Sequence, residues 1–165
     1  MTVPNAPTSV PRLAAFQIMV GMFAAGVLAF AFLSVFLRRS GSAAGSSVQP
    51  DLAPVFLGVV GGLLVMSVVV GMIIRKQAVA RSRREHEASP LAEGTLLQRF
   101  GSMTIVRAAL SEGAALMGVM AFFVTGEALG LVGAGVGLVF LAAIFPTQDR
   151  FGAFVRDVTG RMPGL

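Results

Sequence analysis

A run of 25 residues without one charge, Leu13 to Leu37, constrains this chain more than any other feature. As a helix it reaches about 37 Å, enough to cross a hydrocarbon core of about 30 Å with tilt. Three further apolar runs follow, at Leu52 to Ile74, about Met103 to Val124 and about Ala128 to Phe145. Only 13% of the residues are charged, where a soluble domain carries about 25%. A water-facing surface cannot be built from so little charge, which excludes an ordinary soluble enzyme and a disordered tail. The expected fold is all-α: an integral membrane four-helix bundle of two helical hairpins, forming a single membrane domain over 1–165. The expected spans are 13–37, 52–74, 103–124 and 128–145, with lipid bilayer as the surrounding partner.

The first run is too long for the h-region of a signal peptide, which takes about 7–15 residues behind a basic segment. Only Arg12 and the amino terminus precede it, so a retained span is expected. The small residues Ser42-Ala43-Ala44-Gly45-Ser46-Ser47 keep a cleaved leader open as the alternative. Pro4, Pro7 and Pro11 predict a disordered segment over residues 1–11. Residues 38–51 are Gly/Ser-rich and read as a flexible connector. Residues 75–102 are charge-dense, with Ser89-Pro90 as the expected break. Their first half extends the second helix; their second half, with Leu91, Leu96, Leu97 and Phe100, reads as an interfacial segment. Thr125-Gly126-Glu127 joins the last two spans tightly, with Glu127 complementing the dipole of the fourth helix. Residues 146–165 form a cytoplasmic tail, in which Phe151 and Phe154 among charges predict a short amphipathic segment on the inner surface or a docking helix for a partner.

Orientation follows from the basic residues. Ten of the 13 Lys and Arg lie in the N-terminus, the 75–102 loop and the C-terminal tail; Arg38 and Arg39 alone lie on the other side, and Arg107 lies within a span. The positive-inside rule places both termini in the cytoplasm. The chain is expected in the bacterial cytoplasmic (inner) membrane as a multi-pass protein. Arg75, Lys76, Arg81, Arg83 and Arg84 then face lipid headgroups, which explains the net charge of +5 better than nucleic acid does.

Other chemistry is scarce. The chain has no Cys and one His, His86, set between Glu85 and Glu87 and expected to be exposed. A metal or iron–sulfur centre is not expected, nor is haem, so the expected cofactor set is none. The nine Met are scattered through apolar segments, where gap-filling is their usual role. The glycines from Gly130 to Gly137 lie inside an apolar span, where the strand–turn–helix context of a nucleotide-binding loop is impossible. Catalysis within the membrane would need a nucleophile–base pair or a metal, and no His or Cys lies in a span. An enzyme is not expected.

Helices in lipid associate through small residues that let backbones approach. Every span offers such a strip: Gly21, Ala25 and Ala29; Gly58 and Gly62; Ala109 and Gly113, and Ala114 and Gly118; Gly126, Gly130 and Ala134, and Gly133 and Gly137. These strips pack one bundle, or one of them also joins copies or other membrane subunits.

Two ionisable residues fall inside the third span, and such residues carry function by default. Glu112 lies about 10–14 Å from the cytoplasmic edge, near the midplane; Arg107 is about one turn in and can reach the headgroups. Five residues turn about 140° around a helix, so the two are not an i,i+4 pair. Glu112 therefore needs a partner on another helix or stays protonated. Ranked by depth, Ser67 and Gln17 are the candidate partners. One polar cluster of Gln17, Ser67, Arg107, Ser111 and Glu112 is expected, serving either to fix helix register or to bind a proton or ion.

The residues Val106-Arg-Ala-Ala-Leu-Ser-Glu112-Gly-Ala-Ala-Leu, then Phe122-Phe-Val-Thr-Gly, then Phe145-Pro-Thr-Gln-Asp-Arg150, resemble a set of small uncharacterised bacterial four-span membrane proteins. Their shared pattern is R-x-A-L-x-E-G, followed by P-T-x-x-R after the last span. The resemblance covers about residues 100–151 and implies a bacterial four-span protein without implying an activity. The chain also resembles, more distantly, the doubled proteolipid c subunits of rotary ATPases, through its length, its glycine-rich spans and the Ala-Leu-x-Glu context of Glu112. It departs from them in four ways. Glu112 lies on the third span rather than on the outgoing helix of a hairpin, residues 75–102 are long, the first span lacks a dense glycine repeat, and Arg107 opposes free protonation. Two functions follow: a non-enzymatic accessory or structural subunit of a membrane assembly, or a small oligomeric proton- or ion-translocating protein that uses Glu112.

Overall fold

The computed structural model describes residues 9–41 and 53–160. The expected disorder of residues 1–8, most of the Gly/Ser connector and the last five residues of the tail lie outside the described residues. The described residues form five helices: α1 (Ser9–Arg39), α2 (Ala53–Ala88), α3 (Glu93–Thr125), α4 (Ala128–Ala143) and α5 (Gln148–Thr159). No strand occurs among the described residues. α1, α2 and α3 are each long and apolar enough to cross a membrane; α4 and α5, bent by 62° at their junction, reach that length only when counted together.

Helix ends follow local chemistry. α1 starts at Ser9, earlier than the proline-rich segment led us to expect, because Pro11 falls in the first turn, where a missing N–H is harmless. Pro54 plays the same part in α2. α3 stops at Gly126, whose φ of 79° is left-handed, and the Gly126 N–H closes onto the Phe122 carbonyl. The α4–α5 bend falls at Pro146, which cannot continue a helix. Thr147 then caps α5, its hydroxyl accepting from the Arg150 N–H.

α3 is the central helix and touches all the others. Leu13 of α1, Leu96, Leu97 and Phe100 of α3, and Phe154 and Val158 of α5 share one apolar cluster. Arg38 at the far end of α1 reaches Phe122 near the end of α3, so α1 and α3 run parallel. Arg75 reaches Asp157 of α5 and Ser67 meets Ser111, so α2 runs antiparallel to α3. The start of α1, the start of α3 and α5 therefore lie at one end of the molecule.

Two expectations change here. Residues 93–102 are not a separate interfacial segment but the first turns of α3, with Leu96, Leu97 and Phe100 buried in protein. α5 likewise turns Phe154 and Val158 into the same cluster, so its apolar face meets the chain's own core rather than the inner surface. The reason is shared: two short amphipathic stretches at the same end bury each other more fully than an interface would. The fourth apolar run is also shorter as a helix than expected, since α4 spans 16 residues, about 24 Å.

The α3–α4 crossing is the tightest. A side chain added at Gly118 would stand 2.5 Å from the Ala134 nitrogen and 2.8 Å from the Gly130 carbonyl oxygen. Only hydrogen at that position lets the two backbones touch. By contrast, 17% of the apolar stretch of α1 and of α2 is buried, against 39% for α3. α1 turns Met, Leu and Phe side chains outward, and α2 turns Val, Met and Ile outward.

Candidate functional site

α3 carries the ionisable residues, and its turn sets which neighbour each one meets. Ser111 is fully buried toward α2, where its hydroxyl lies 3.1 Å from that of buried Ser67. One turn away on the same face, Arg107 lies against Gly71 of α2; a side chain added there would stand 2.7 Å from the Arg107 Nε. Glu112 faces α1 instead. Its Oε1 lies 4.0 Å from where a Gly26 side chain would begin. Among the described residues no hydrogen bond or ion pair reaches the half-buried Glu112 carboxyl. Gln17 joins neither group: its amide donates to the Pro146 carbonyl at 2.9 Å, tying α1 to the bend before α5.

The single expected cluster is thus three separate sites. Depth separates Gln17, which lies nine residues or about 14 Å along α1 from Gly26, the residue beside Glu112, and leaves Ser67, Arg107, Ser111 and Glu112 within about two turns of one another. Rotation about α3 then separates them, since neighbouring Ser111 and Glu112 point about 100° apart. The Ser67–Ser111 pair is an interhelical bond of the kind worth about 0.6 kcal/mol in membrane proteins, and it fixes the α2–α3 register. Arg107 is costlier. Its Nε is buried without an acceptor, a deficit of about 1–3 kcal/mol for a polar group. The charged groups acting on it are Arg150 and Arg75, both of its own sign. These three arginines line one cavity of about 340 Å³.

The basic surface run is partly met from within the chain. Arg75 pairs with Asp157 at 3.1 Å, Arg81 with Glu85 at 2.9 Å and Arg83 with Glu87 at 3.2 Å. Lys76 and Arg84 are exposed. Arg99 also reaches Glu85 and donates to buried Ser82 at 3.0 Å. Arg99 first, then Arg81, holds the Glu85 carboxyl below the usual carboxylate range. His86 is not simply exposed: its Nδ1 accepts the Leu91 N–H at 3.1 Å across the α2–α3 turn. Pro90 leaves the turn one donor short, and the ring fills the place of a backbone acceptor.

Two arginines took roles that their position beside apolar runs did not reveal. Arg38 donates to the Phe122 carbonyl at 3.1 Å and lies 5.5 Å from the centre of its ring. It brings a cation to the negative end of the α3 dipole. Arg150 donates to the Ala143 carbonyl at the end of α4. The available signal was the same in both cases: a basic residue within reach of the end of an apolar helix.

Chemically, Glu112 can hold and release a proton, and the arginines can hold an anion. Comparison with known protein families, with curated proteins and with solved structures finds no match to this chain.

Proposed function

We propose that this chain is a non-enzymatic accessory or structural subunit of a membrane assembly, crossing the bacterial cytoplasmic membrane four times with both termini in the cytoplasm. In this reading α4 makes the fourth crossing, its short length met by local thinning of the bilayer, and α5 lies in the cytoplasmic tail beside the starts of α1 and α3. One observation carries the subunit reading: the Glu112 carboxyl lies within the third apolar run, half-buried, with no partner from its own chain among the described residues. Exposed Val and Phe need no partner, because lipid is as apolar as they are. A carboxyl in hydrocarbon does need one. Next to it on α3, Gly113 has open space beside it, as do Gly21 of α1 and Gly58, Gly61 and Gly62 of α2. Such positions allow a neighbouring helix to approach closely. A neighbouring membrane subunit, or another copy of this chain, supplies the hydrogen-bonding group that Glu112 lacks.

The test is native mass after mild detergent extraction. The wild type is expected in a complex well above the 17.1 kDa of one chain. Replacing Glu112 with Leu removes an interhelical hydrogen bond of about 1–2 kcal/mol and weakens association about five- to thirtyfold. A wild-type protein that runs as a monomer under these conditions overturns the reading.

A second reading rests on the same carboxyl: a small oligomer that moves a proton or ion through Glu112. The open position of the carboxyl beside Gly26 favours it, because a site that titrates must be reachable. Liposomes carrying the wild type would then dissipate a proton gradient, and Glu112→Gln would abolish that flux while inserting normally. No flux above empty liposomes ends this reading.

A further inference from the structure

Arg75, Arg107 and Arg150 come from three helices, α2, α3 and α5, and meet at one cavity of about 340 Å³. Among the described residues, only Arg75 of the three is paired with a carboxylate, Asp157. Arg150 spends one bond on the Ala143 carbonyl, and Arg107, whose Nε is buried toward Gly71, lines the cavity with no carboxylate paired to it among the described residues. Arg107 also feels the repulsion of Arg150 and Arg75. Like charges gathered beside apolar walls such as Phe100, Met103 and Phe154 are held at a cost unless an anion completes the group. Gly71 keeps Arg107 in place: its bare Cα is the seat on which the guanidinium rests. The cavity sits where the apolar run of α2 ends at Ile74 and Arg75 begins, the level at which phosphates occur along a membrane-spanning helix.

We propose that this cavity binds a phosphate group, held by Arg107 and Arg150, with Arg75 shared between the ligand and Asp157. Arginine forks recognise carboxylate and phosphate alike, but three forks from three directions suit tetrahedral oxygens better than a flat carboxylate. The site is distinct from the exposed run of Arg81, Arg83 and Arg84, and it does not depend on what covers Glu112, which faces α1. Two sources carry this chemistry: the headgroup of an acidic phospholipid and free phosphate.

The purified chain in mild detergent is titrated with dioctanoyl phosphatidylglycerol, dioctanoyl phosphatidylcholine and inorganic phosphate, and bound ligand is counted by native mass spectrometry. Saturable binding of phosphatidylglycerol is expected, stronger than that of phosphatidylcholine. Arg150→Gln and Gly71→Ala each weaken it about tenfold, the loss of one charge-assisted bond. Gly71→Ala removes no charge and acts only by displacing Arg107, so its effect separates a built site from diffuse attraction. Arg83→Gln leaves binding unchanged. Binding of the lipid without inorganic phosphate assigns a headgroup; comparable binding of inorganic phosphate assigns the free ion. Equal affinity in wild type, Arg150→Gln and Gly71→Ala overturns the proposal, as does equal binding of phosphatidylcholine or no saturable binding of either anionic probe. Should those variants fail to fold, Arg107→Lys keeps the charge and loses the fork; wild-type affinity in that variant is equally fatal.

Discussion

Gly118 shows how much one hydrogen atom decides. A methyl group there meets backbone of α4 on two sides, at Ala134 and Gly130, and backbone cannot rotate away as a side chain can. Gly118→Ala is therefore expected to destabilise the chain by about 1–3 kcal/mol, the usual cost of overpacking. Gly58→Ala, on an open face of α2, is expected to leave the stability of the isolated chain nearly unchanged. Thermal melts of the two variants in detergent check this; equal melting temperatures would show that the α3–α4 crossing yields easily. The glycine strips look alike as sequence, yet Gly118 and Gly130 are pressed between helices while Gly21, Gly58 and Gly62 face open space. Spacing reveals which residues share a face, not what that face meets.

The α2 and α3 helices continue past their apolar runs into a polar hairpin held at Glu85, which takes both Arg99 and Arg81. Exposed ion pairs are weak singly, but here one carboxylate ties two helices together. Its acidity is raised by Arg99 first, so folding favours the ionised form. The stabilisation is complete above the ordinary carboxylate value and is lost as pH falls through the lowered folded value. Protection of residues 82–99 against hydrogen exchange, taken relative to the intrinsic rate at each pH, should therefore fall as the solution is acidified below the usual carboxylate range. Glu85→Gln should exchange faster at neutral pH and lose most of that acid response; an unchanged acid response in the variant would assign the effect to other groups. The position of Arg81 four residues before Glu85 is readable in the sequence as an i,i+4 pair. The contact of Arg99 is not, since it requires α2 and α3 to fold back on each other.

For the whole molecule, the start of α1, the α2–α3 turn and α5 lie at one end, while Arg38 closes the other end over Phe122. The distribution of Lys and Arg then predicts that the first end is cytoplasmic. The chain has no native cysteine, so single introduced cysteines report cleanly. Ala88→Cys should label only from the cytoplasmic side and Ser40→Cys only from the opposite side. Labelling of both from one side would mean that α1 and α2 do not cross as proposed.

Uncharged length and scarce charge were enough to establish from the residues alone an all-helical chain with stretches able to cross a membrane, because hydrocarbon admits little else. The separation of Arg107 from Glu112 around α3 was also legible, since it needs only the pitch of a helix. The tertiary structure alone decided which neighbour each of them meets: Arg107 on Gly71, Glu112 beside Gly26, Ser111 against Ser67, Gln17 on the Pro146 carbonyl. Depth in a membrane is a sum along one helix, and hydropathy records it. The rotation and contact of helices depend on side chains far apart in the chain, such as Gly118 and Ala134, and no local pattern encodes their meeting.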